Sequence, residues 1–499
     1  MGVPGFFSWL LRNKKKLSTK KLIIDKIDKK IKYLMLDTNC LLHPCVSQIL
    51  EKYKKNEIIL NPDKSIRFQL EELIWRQIKF SIDDMIERLK PECIYIAIDG
   101  VAPIGKILQQ RQRRYRYLFD KKIRLNVETF ETFENIEIIE MIDEDGKYIT
   151  QKPLSSIELT PGTDYMERIH KKLLEYQDKL DIKCIYSSYH EAGEGEHKIL
   201  QFLKKNISPT ETVVIYGLDA DLLFLALSTT KSYDIYVMRE QQIFNNTELN
   251  FDDYIDYNYV EIMELHNMIN KLEIDTDDFI IICYLIGNDF LPNLLTTDIK
   301  KGGLDKILSA YEIVKKNTNE KIISRNISKN ESEESEESEE SEKIIINYKF
   351  LKELFKNLLW TEKWIWQNIN RNDMDDKNKN IMLFSIGKNI NTDCLSKIEF
   401  NNKHEYYNYY FGIEDMCIDE NIIKQMVKEY ITGIEWSINY YLDNCISWEW
   451  GYNFPIAPLI EDIVKYFPSK ITIPRTICEL KPIEQLILAI PPDTYKYVL

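Results

Sequence analysis

Three short apolar runs, rich in β-branched and aromatic residues, each finish in an aspartate: Tyr33–Asp37 (YLMLD), Ile94–Asp99 (IYIAID) and Val213–Asp219 (VVIYGLD). Runs so apolar and so short suit strands buried on both faces of a parallel sheet. A fourth, Cys184–Tyr186, lies just upstream of a pair of glutamates. Strand-like and helix-like segments alternate, the pattern of an α/β protein whose mainly parallel central sheet is flanked by helices. In open sheets of this kind ligands collect beyond the carboxyl ends of the strands. Acids that close several strands are therefore expected to converge.

The alternation holds over residues 1–316, the expected first domain. Then the texture breaks. Glu331–Glu342 reads ESEESEESEESE, eight acids with no apolar residue. Such a run repels itself and buries nothing, so residues 317–345 are expected to form a disordered acidic linker. Within 346–499 the strand-to-aspartate pattern is gone. Phe350–Leu359 and Met426–Tyr441 carry apolar residues at helical spacing, and Trp and Tyr become frequent. A mainly helical, aromatic-rich second region is expected there. With 499 residues and 44% hydrophobic content, the chain can bury two cores of ordinary size.

A net charge of −14 argues at first against a nucleic-acid partner, because phosphate contacts need Lys and Arg. Much of that charge sits in the linker, while Gly100–Phe119 holds five basic residues and no acid. No stretch reaches the roughly 20 apolar residues of a membrane span, Phe279–Gly287 being far shorter. The opening shows neither the apolar core of a signal peptide nor the Ser or Thr that myristoylation needs at the sixth position. Nine cysteines without a Cys-x-x-Cys pair suit buried free thiols in a reducing compartment, not a zinc site. The expectation is a soluble, intracellular monomer without membrane attachment, in cytoplasm or nucleus.

Seven acids lie in short apolar or glycine-flanked settings: Asp37, Asp99, Glu194, Glu196, Asp219, Asp221 and Asp289, within LDTN, AIDG, GEGEH, GLDAD and GNDF. Like charges gathered at the edge of a core are costly unless cations neutralise them. Hard ions such as Mg²⁺ or Mn²⁺ prefer oxygen ligands, and no His/Cys set competes. Two such ions about 4 Å apart can activate a water and stabilise the leaving oxygen of a phosphodiester. Each acid also has a plainer use: Glu194 and Glu196 as favourable charges at a helix start, Asp37 and Asp99 as turn residues. It is their joint recurrence at element ends that points to a metal-dependent nuclease.

Directly after the second aspartate comes Pro103–Phe119 (PIGKILQQRQRRYRYLF). As a helix it would place Lys106, Gln110, Arg113 and Arg114 on one face. A point charge, an amide and two guanidinium forks suit a terminal phosphate. A solvated basic face is the plainer alternative, weakened by the closeness of Asp99.

These residues sit in motifs that resemble the 5′→3′ exoribonuclease (XRN) family: MGVPGFFSWL, LDTNCLLHPC, IDGVAPIGKILQQRQRRYR, LTPGTDYM, GEGEHKIL, YGLDADLLFLAL and DDFIIICYLIGNDFLPNL. Beyond the linker, EYITGIEWSINYYLDNCISWEWGYNFPIAPLIEDI resembles the family's second conserved region, and PIEQLILAIPP its closing motif. The resemblance implies a PIN/flap-nuclease-like core and places the metal-binding acids on the same seven positions. It places the 5′-monophosphate pocket on Lys106, Gln110, Arg113 and Arg114, and base stacking on His43 and on Trp448 or Trp450. His43 on its own reads more readily as a packed core histidine. Two departures stand out: Ile104-Gly105 where a basic-small pair is usual, and Ala192 where proline usually precedes the Gly-Glu-Gly-Glu run.

The implied activity is two-metal hydrolysis of single-stranded RNA from a 5′ monophosphate to mononucleotides, in RNA degradation; a decapping partner is left open. Two rivals use the same core. A flap-type DNA endonuclease would need a Gly-x-Gly hairpin after the last aspartate, where FLPNLLTTDIKKGGLDKIL stands instead. An inactive RNA-binding scaffold would be expected to have lost acids, and all seven are present.

Overall fold

The apolar runs form strands in the computed structural model. It describes residues 22–61, 63–125, 139–142, 148–151, 154, 156–208, 210–229, 234–240, 256–299, 302–329, 340–368, 403–412 and 418–491, with 3, 5–7, 9, 10 and 12 near the start. The chain divides into two compact units. Lys20–His266 with Ile477–Leu499 make the sheet unit; Met1–Thr19 with Asn267–Thr476 make the helical unit.

In the sheet unit the strands are β1 (Ile23–Ile24), β2 (Tyr33–Asp37), β3 (Cys93–Ala97), β4 (Ile139–Ile142), β5 (Tyr148–Gln151), β6 (Lys183–Ser187), β7 (Thr212–Tyr216), β8 (Asp234–Glu240) and β9 (Tyr257–Glu261). β4 and β5 form a separate hairpin; the rest make one sheet in the order β1-β9-β8-β7-β2-β3-β6. From β8 to β6 every pairing is parallel, and β9 and β1 close the other edge antiparallel. The chain runs from β2 to β3 and β6 on one side, then returns to β7 on the other. That reversal beside β2 is a topological switch point, where the strand ends leave a crevice.

Period-two alternation decides which face each side chain covers. Leu34, Leu36, Ile94, Ile96, Val214 and Tyr216 join one core with buried residues of α1 (Asn39–Lys54), α2 (Ile66–Leu89) and α4 (Asp164–Gln177). Between the last two in sequence lies α3 (Ile104–Leu125). The opposite face carries Tyr33 and Tyr95, both against Phe202 of α5 (Gly195–Asn206), with Tyr95 stacked at 4.4 Å. α6 (Asp221–Ser228) follows β7. Helix starts are set by side-chain caps: Ser65 Oγ accepts from Phe68 N at 3.3 Å, and Thr163 Oγ1 from Met166 N at 3.2 Å.

The helical unit holds α7 (Thr276–Tyr284), α8 (Gly303–Thr318), the hairpin β10 (Ile323–Lys329) with β11 (Glu340–Ile346), α9 (Tyr348–Asn368), α10 (Lys403–Phe411), α11 (Glu420–Leu442) and α12 (Ile460–Tyr466). Trp436 is its largest fully buried side chain, stacked on Tyr440. A last helix, α13 (Pro482–Ala489), belongs to the sheet unit. Among the described residues no helix is long and apolar enough to cross a membrane, and the seven described cysteines are free.

Two boundaries differ from the sequence reading. The stretch 317–345 is not irregular throughout: α8 runs to Thr318, and β10 pairs with β11. The tip, 330–339, lies outside the described residues. Isoleucines at 322, 323 and 344–346 give the flanks the β-propensity that the acidic run masks. Ile322 and Ile323 are buried, and Arg325 grips Asp277 of α7 with two bonds of 2.5 and 2.6 Å. The unit boundary also falls near residue 266 instead of 316, with the first 19 residues joining the helical unit and residues 477–499 the sheet unit.

Candidate metal and phosphate site

Asp37 closes β2, Asp99 follows β3 and Asp219 follows β7, three neighbouring strands. Glu194 stands at the N-cap of α5 with Glu196 in its first turn, and Asp221 is the first residue of α6. Helix N-termini favour such charges. The loops close tightly. Gly100 N donates to Gly193 O at 2.9 Å, and a Cβ on Gly100 would come within 1.7 Å of the Glu191 carbonyl oxygen, so only glycine fits. The result brings Asp99 to α5: its Oδ1 accepts from Gly195 N at 2.7 Å. A Cβ on Gly195 would lie 2.9 Å from Asp37 Oδ1 and 3.4 Å from Asp99 Oδ1, so both carboxylates face the same helix start.

These acids repel one another. Burial first, then Asp99, Asp219 and Glu194, push the Asp37 carboxyl up to about 7. Burial and then Glu194 raise Asp99 to about 6, against the pull of the Gly195 N–H, Lys106 and Lys198. Glu196 is driven well above the carboxylate range by burial and next by Asp221. Lys106 supplies counter-charge, its Nζ 2.6 Å from Glu194 Oε1, and the neutral Cys40 thiol donates to Asp37 Oδ2 at 2.9 Å. Six of the seven predicted acids thus sense each other within the sheet unit. The seventh, Asp289, belongs to the helical unit.

The donors fit hard divalent cations: an all-oxygen set, buried, with surplus negative charge. Among the described residues, no three His, Cys, Asp or Glu side chains are arranged to hold one ion by themselves.

Lys106, Gln110, Arg113 and Arg114 lie on α3 as predicted. Arg113 is exposed. Arg114 Nη2 donates to Thr160 Oγ1 at 2.5 Å, while its Nη1 and Gln110 Oε1 are buried without a partner among the described residues. Burial and then Arg113 lower Arg114 to about 10. His43 on α1 is open to solvent yet hemmed in by protein. That crowding, then Arg113 and Arg114, hold its imidazole at about 4, so the ring is neutral near pH 7.

A family model described as the XRN 5′-3′ exonuclease N-terminus matches residues 1–241, and one described as the Xrn1 helical domain matches 270–382 and 315–498. The chain belongs to the XRN family. It is 25% identical to 5′-3′ exoribonuclease 1 of Schizosaccharomyces pombe and to that of Homo sapiens, covering 98% of this chain but 44% and 30% of those proteins. With 5′-3′ exoribonuclease 2 of Debaryomyces hansenii the identity is also 25%, over 98% of this chain and 64% of the relative. The chain therefore spans less than two thirds of the length of these relatives.

One departure of this XRN chain has a packing reason. Ile104 lies against the apolar cluster of Ala102, Ile107 and Ala489, a place where a basic side chain would lose its hydration. The two tryptophans also separate. Trp450 stacks on buried Trp436 at 4.9 Å and lies against Gly433, whose Cβ would come 2.7 Å from the indole. The half-buried Trp448 indole has no ring partner among the described residues.

Sequence reasoning missed residues that act on backbone. Lys198 Nζ donates to Ile98 O at 2.7 Å and Ser188 O at 2.8 Å, fixing the approach to Asp99; burial lowers it to about 8. Arg239 of β8 donates to Leu218 O and Asp219 O, holding the loop that carries Asp219. Asn39 Oδ1 accepts from Asp99 N at 3.1 Å. Lys198 stood two places after Glu196 in GEGEHK and was visible as a signal; Arg239 had none.

Proposed function

We propose that this XRN chain is a 5′→3′ exoribonuclease that hydrolyses single-stranded RNA bearing a 5′ monophosphate, processively and to mononucleotides, with two Mg²⁺ or Mn²⁺ ions. The observation that carries this reading is a juxtaposition: buried carboxylates that repel one another stand beside a helix whose Lys106 pairs with Glu194 and whose Arg114 has a buried, unpartnered Nη1 donor.

Asp37, Asp99, Glu194, Glu196, Asp219 and Asp221 would hold the ions. Asp289 is kept as a seventh acid on the family resemblance. When bound, two such ions activate water and stabilise the leaving oxygen of a phosphodiester. Mg²⁺ keeps several waters and takes one or two carboxylates together with substrate phosphates, so the ions would be completed by the RNA.

The chain's own groups do the rest. Arg114 offers its unpartnered Nη1, and Arg113 a second guanidinium, to the end phosphate. Lys106, paired with Glu194 at 2.6 Å, would add its ammonium to the same phosphate were Glu194 to hold a cation. Gln110 adds an amide. On this reading a 5′ triphosphate or cap is excluded, because the donors are set for a single terminal phosphate. His43, neutral, offers a ring face to a base, and Trp448 is the second aromatic, because Trp450 is committed to packing.

The test is digestion of one RNA with four 5′ ends (monophosphate, triphosphate, cap and hydroxyl) in Mg²⁺. Fast release of mononucleotides from the monophosphate alone is expected. Equal rates would overturn the pocket. Internal cutting of flap DNA, with RNA left intact, would overturn the substrate class.

A further inference from the structure

The helix α13 comes from the far end of the sequence and lies on the helix assigned to the phosphate. Gln485 is 1% exposed, and its Oε1 accepts from Ala102 N at 2.6 Å across 383 positions of sequence. Ala102 precedes Pro103, whose carbonyl accepts from Lys106 N at 2.9 Å and Ile107 N at 3.0 Å and so opens α3. Proline has no N–H, so the last backbone donor before this helix is that of Ala102. Gln485 takes it.

The surroundings say what the glutamine is for. Ala102, Ile107 and Ala489 form an apolar cluster with Ile104 and Leu480 against it. Gln485 Nε2 is buried there without a partner among the described residues. A buried amide left half satisfied costs stability, and an apolar residue would fill the space without that cost. What the glutamine supplies is therefore the bond to Ala102.

The same helix makes a second contact. Gly162 has φ +96°, and a Cβ there would come 2.7 Å from the Pro482 carbonyl carbon and oxygen, so the start of α13 sits directly on the LTPGT loop. Two residues earlier in that loop, Thr160 Oγ1 receives Arg114 Nη2. One helix thus touches both supports of α3: the backbone that begins it and the loop that holds its arginine.

We propose that α13 is a positioning element for 5′-end recognition, in which Gln485 fixes where α3 starts and the Pro482–Gly162 contact sets the loop through which Thr160 holds Arg114. This deepens the phosphate-pocket reading above and rests on it.

The experiment measures kcat/KM of the full chain on two RNAs that differ only in a 5′ monophosphate or a 5′ hydroxyl. A wild-type chain without preference for the monophosphate overturns the pocket reading itself. Given that preference, Gln485→Ala is expected to lower the monophosphate value about tenfold and the hydroxyl value less than about twofold, as one lost orienting bond should. Gln485→Glu keeps an acceptor for Ala102 N–H and is expected to retain most of the preference. An equal loss on both RNAs, or no loss, overturns the positioning role while leaving the pocket intact. Should Gln485→Ala fail to fold, Thr160→Val against Thr160→Ser decides. Loss of preference in the valine variant alone supports the proposal, and equal preference in both overturns it.

Discussion

Both units bury carboxylates, and they do so in opposite ways. In the helical unit Asp278 is fully buried and accepts from Tyr311 OH at 2.6 Å, Ile322 N at 3.0 Å and Ile323 N at 2.9 Å. Glu362 accepts from Ile460 N and Glu461 N, both at 2.9 Å, and so caps α12. In the sheet unit Asp37 faces Asp99, Asp219 and Glu194 with one thiol as its donor. The carboxyls of Glu362 and Asp37 are both pushed to about 7, chiefly by burial. The second influence on each is of opposite sign. For Glu362 it is a pair of backbone N–H groups that pull it down, whereas for Asp37 it is another acid pushing it up. A raised carboxyl is therefore no mark of a site by itself. What sets Asp37 apart is that its largest influence after burial is another acid, not a hydrogen-bond donor.

The sharpest way to break this comparison is to remove one acid from each set. Asp219→Ala is expected to cut RNA hydrolysis at least a thousandfold, roughly 4 kcal/mol of barrier, because a cation loses a ligand. Its metal-free melting temperature should hold or rise, since repulsion is relieved. Asp278→Ala should do the reverse. It leaves two backbone N–H groups and a tyrosine hydroxyl buried without acceptors, which costs about 3 kcal/mol or more. Activity per folded molecule should stay unchanged. Steady-state rates and thermal melts in EDTA check both. A stable, active Asp219→Ala chain would end the distinction.

The site's repulsion has a sign that pH reveals. Asp37 at about 7 and Asp99 at about 6 bind protons more tightly folded than unfolded, where both would titrate near 3.8. Between those values the folded state holds more protons, so stability falls as pH rises. In EDTA the melting temperature should drop between pH 5 and pH 8, from this source. Added Mg²⁺ should restore it, and by more at pH 8, where protons no longer compete. A Mg²⁺ effect equal at both pH values would count against ion binding by this cluster.

Asp37, Asp99 and Asp219 were legible because each closes a run whose burial the sequence already declares: YLMLD, IYIAID and VVIYGLD end where their strands end or one turn beyond. The basic face of α3 was legible from helical spacing alone. What stayed hidden acts through tertiary contact. Gln485 reaches Ala102 across nearly the whole chain, and Thr160 meets Arg114 over 46 positions. No local pattern encodes either bond. The unit boundary was hidden for the same reason, since both chain ends cross to the other unit. β10 and β11 were hidden differently: eight acids outweighed the isoleucines beside them in any reading by composition.

The smallest effect concerns the two tryptophans, which composition could not separate. Trp450, itself half-buried, rests on Trp436 and fills the notch at Gly433, so Trp450→Ala strips packing from Trp436 and should cost about 2 kcal/mol of stability. Trp448 is half-buried, with no ring partner among the described residues, so Trp448→Ala should leave the melting temperature nearly unchanged. If its indole receives a base, binding of single-stranded RNA should weaken by about 1–2 kcal/mol, roughly a factor of ten, without preference among bases. Fluorescence anisotropy with a 5′-monophosphate RNA in Ca²⁺, which slows hydrolysis while occupying oxygen ligands, reads this directly. A base-stacking tryptophan and a packing tryptophan then give opposite pairs of results. Weakened binding in Trp450→Ala at full stability would exchange their roles.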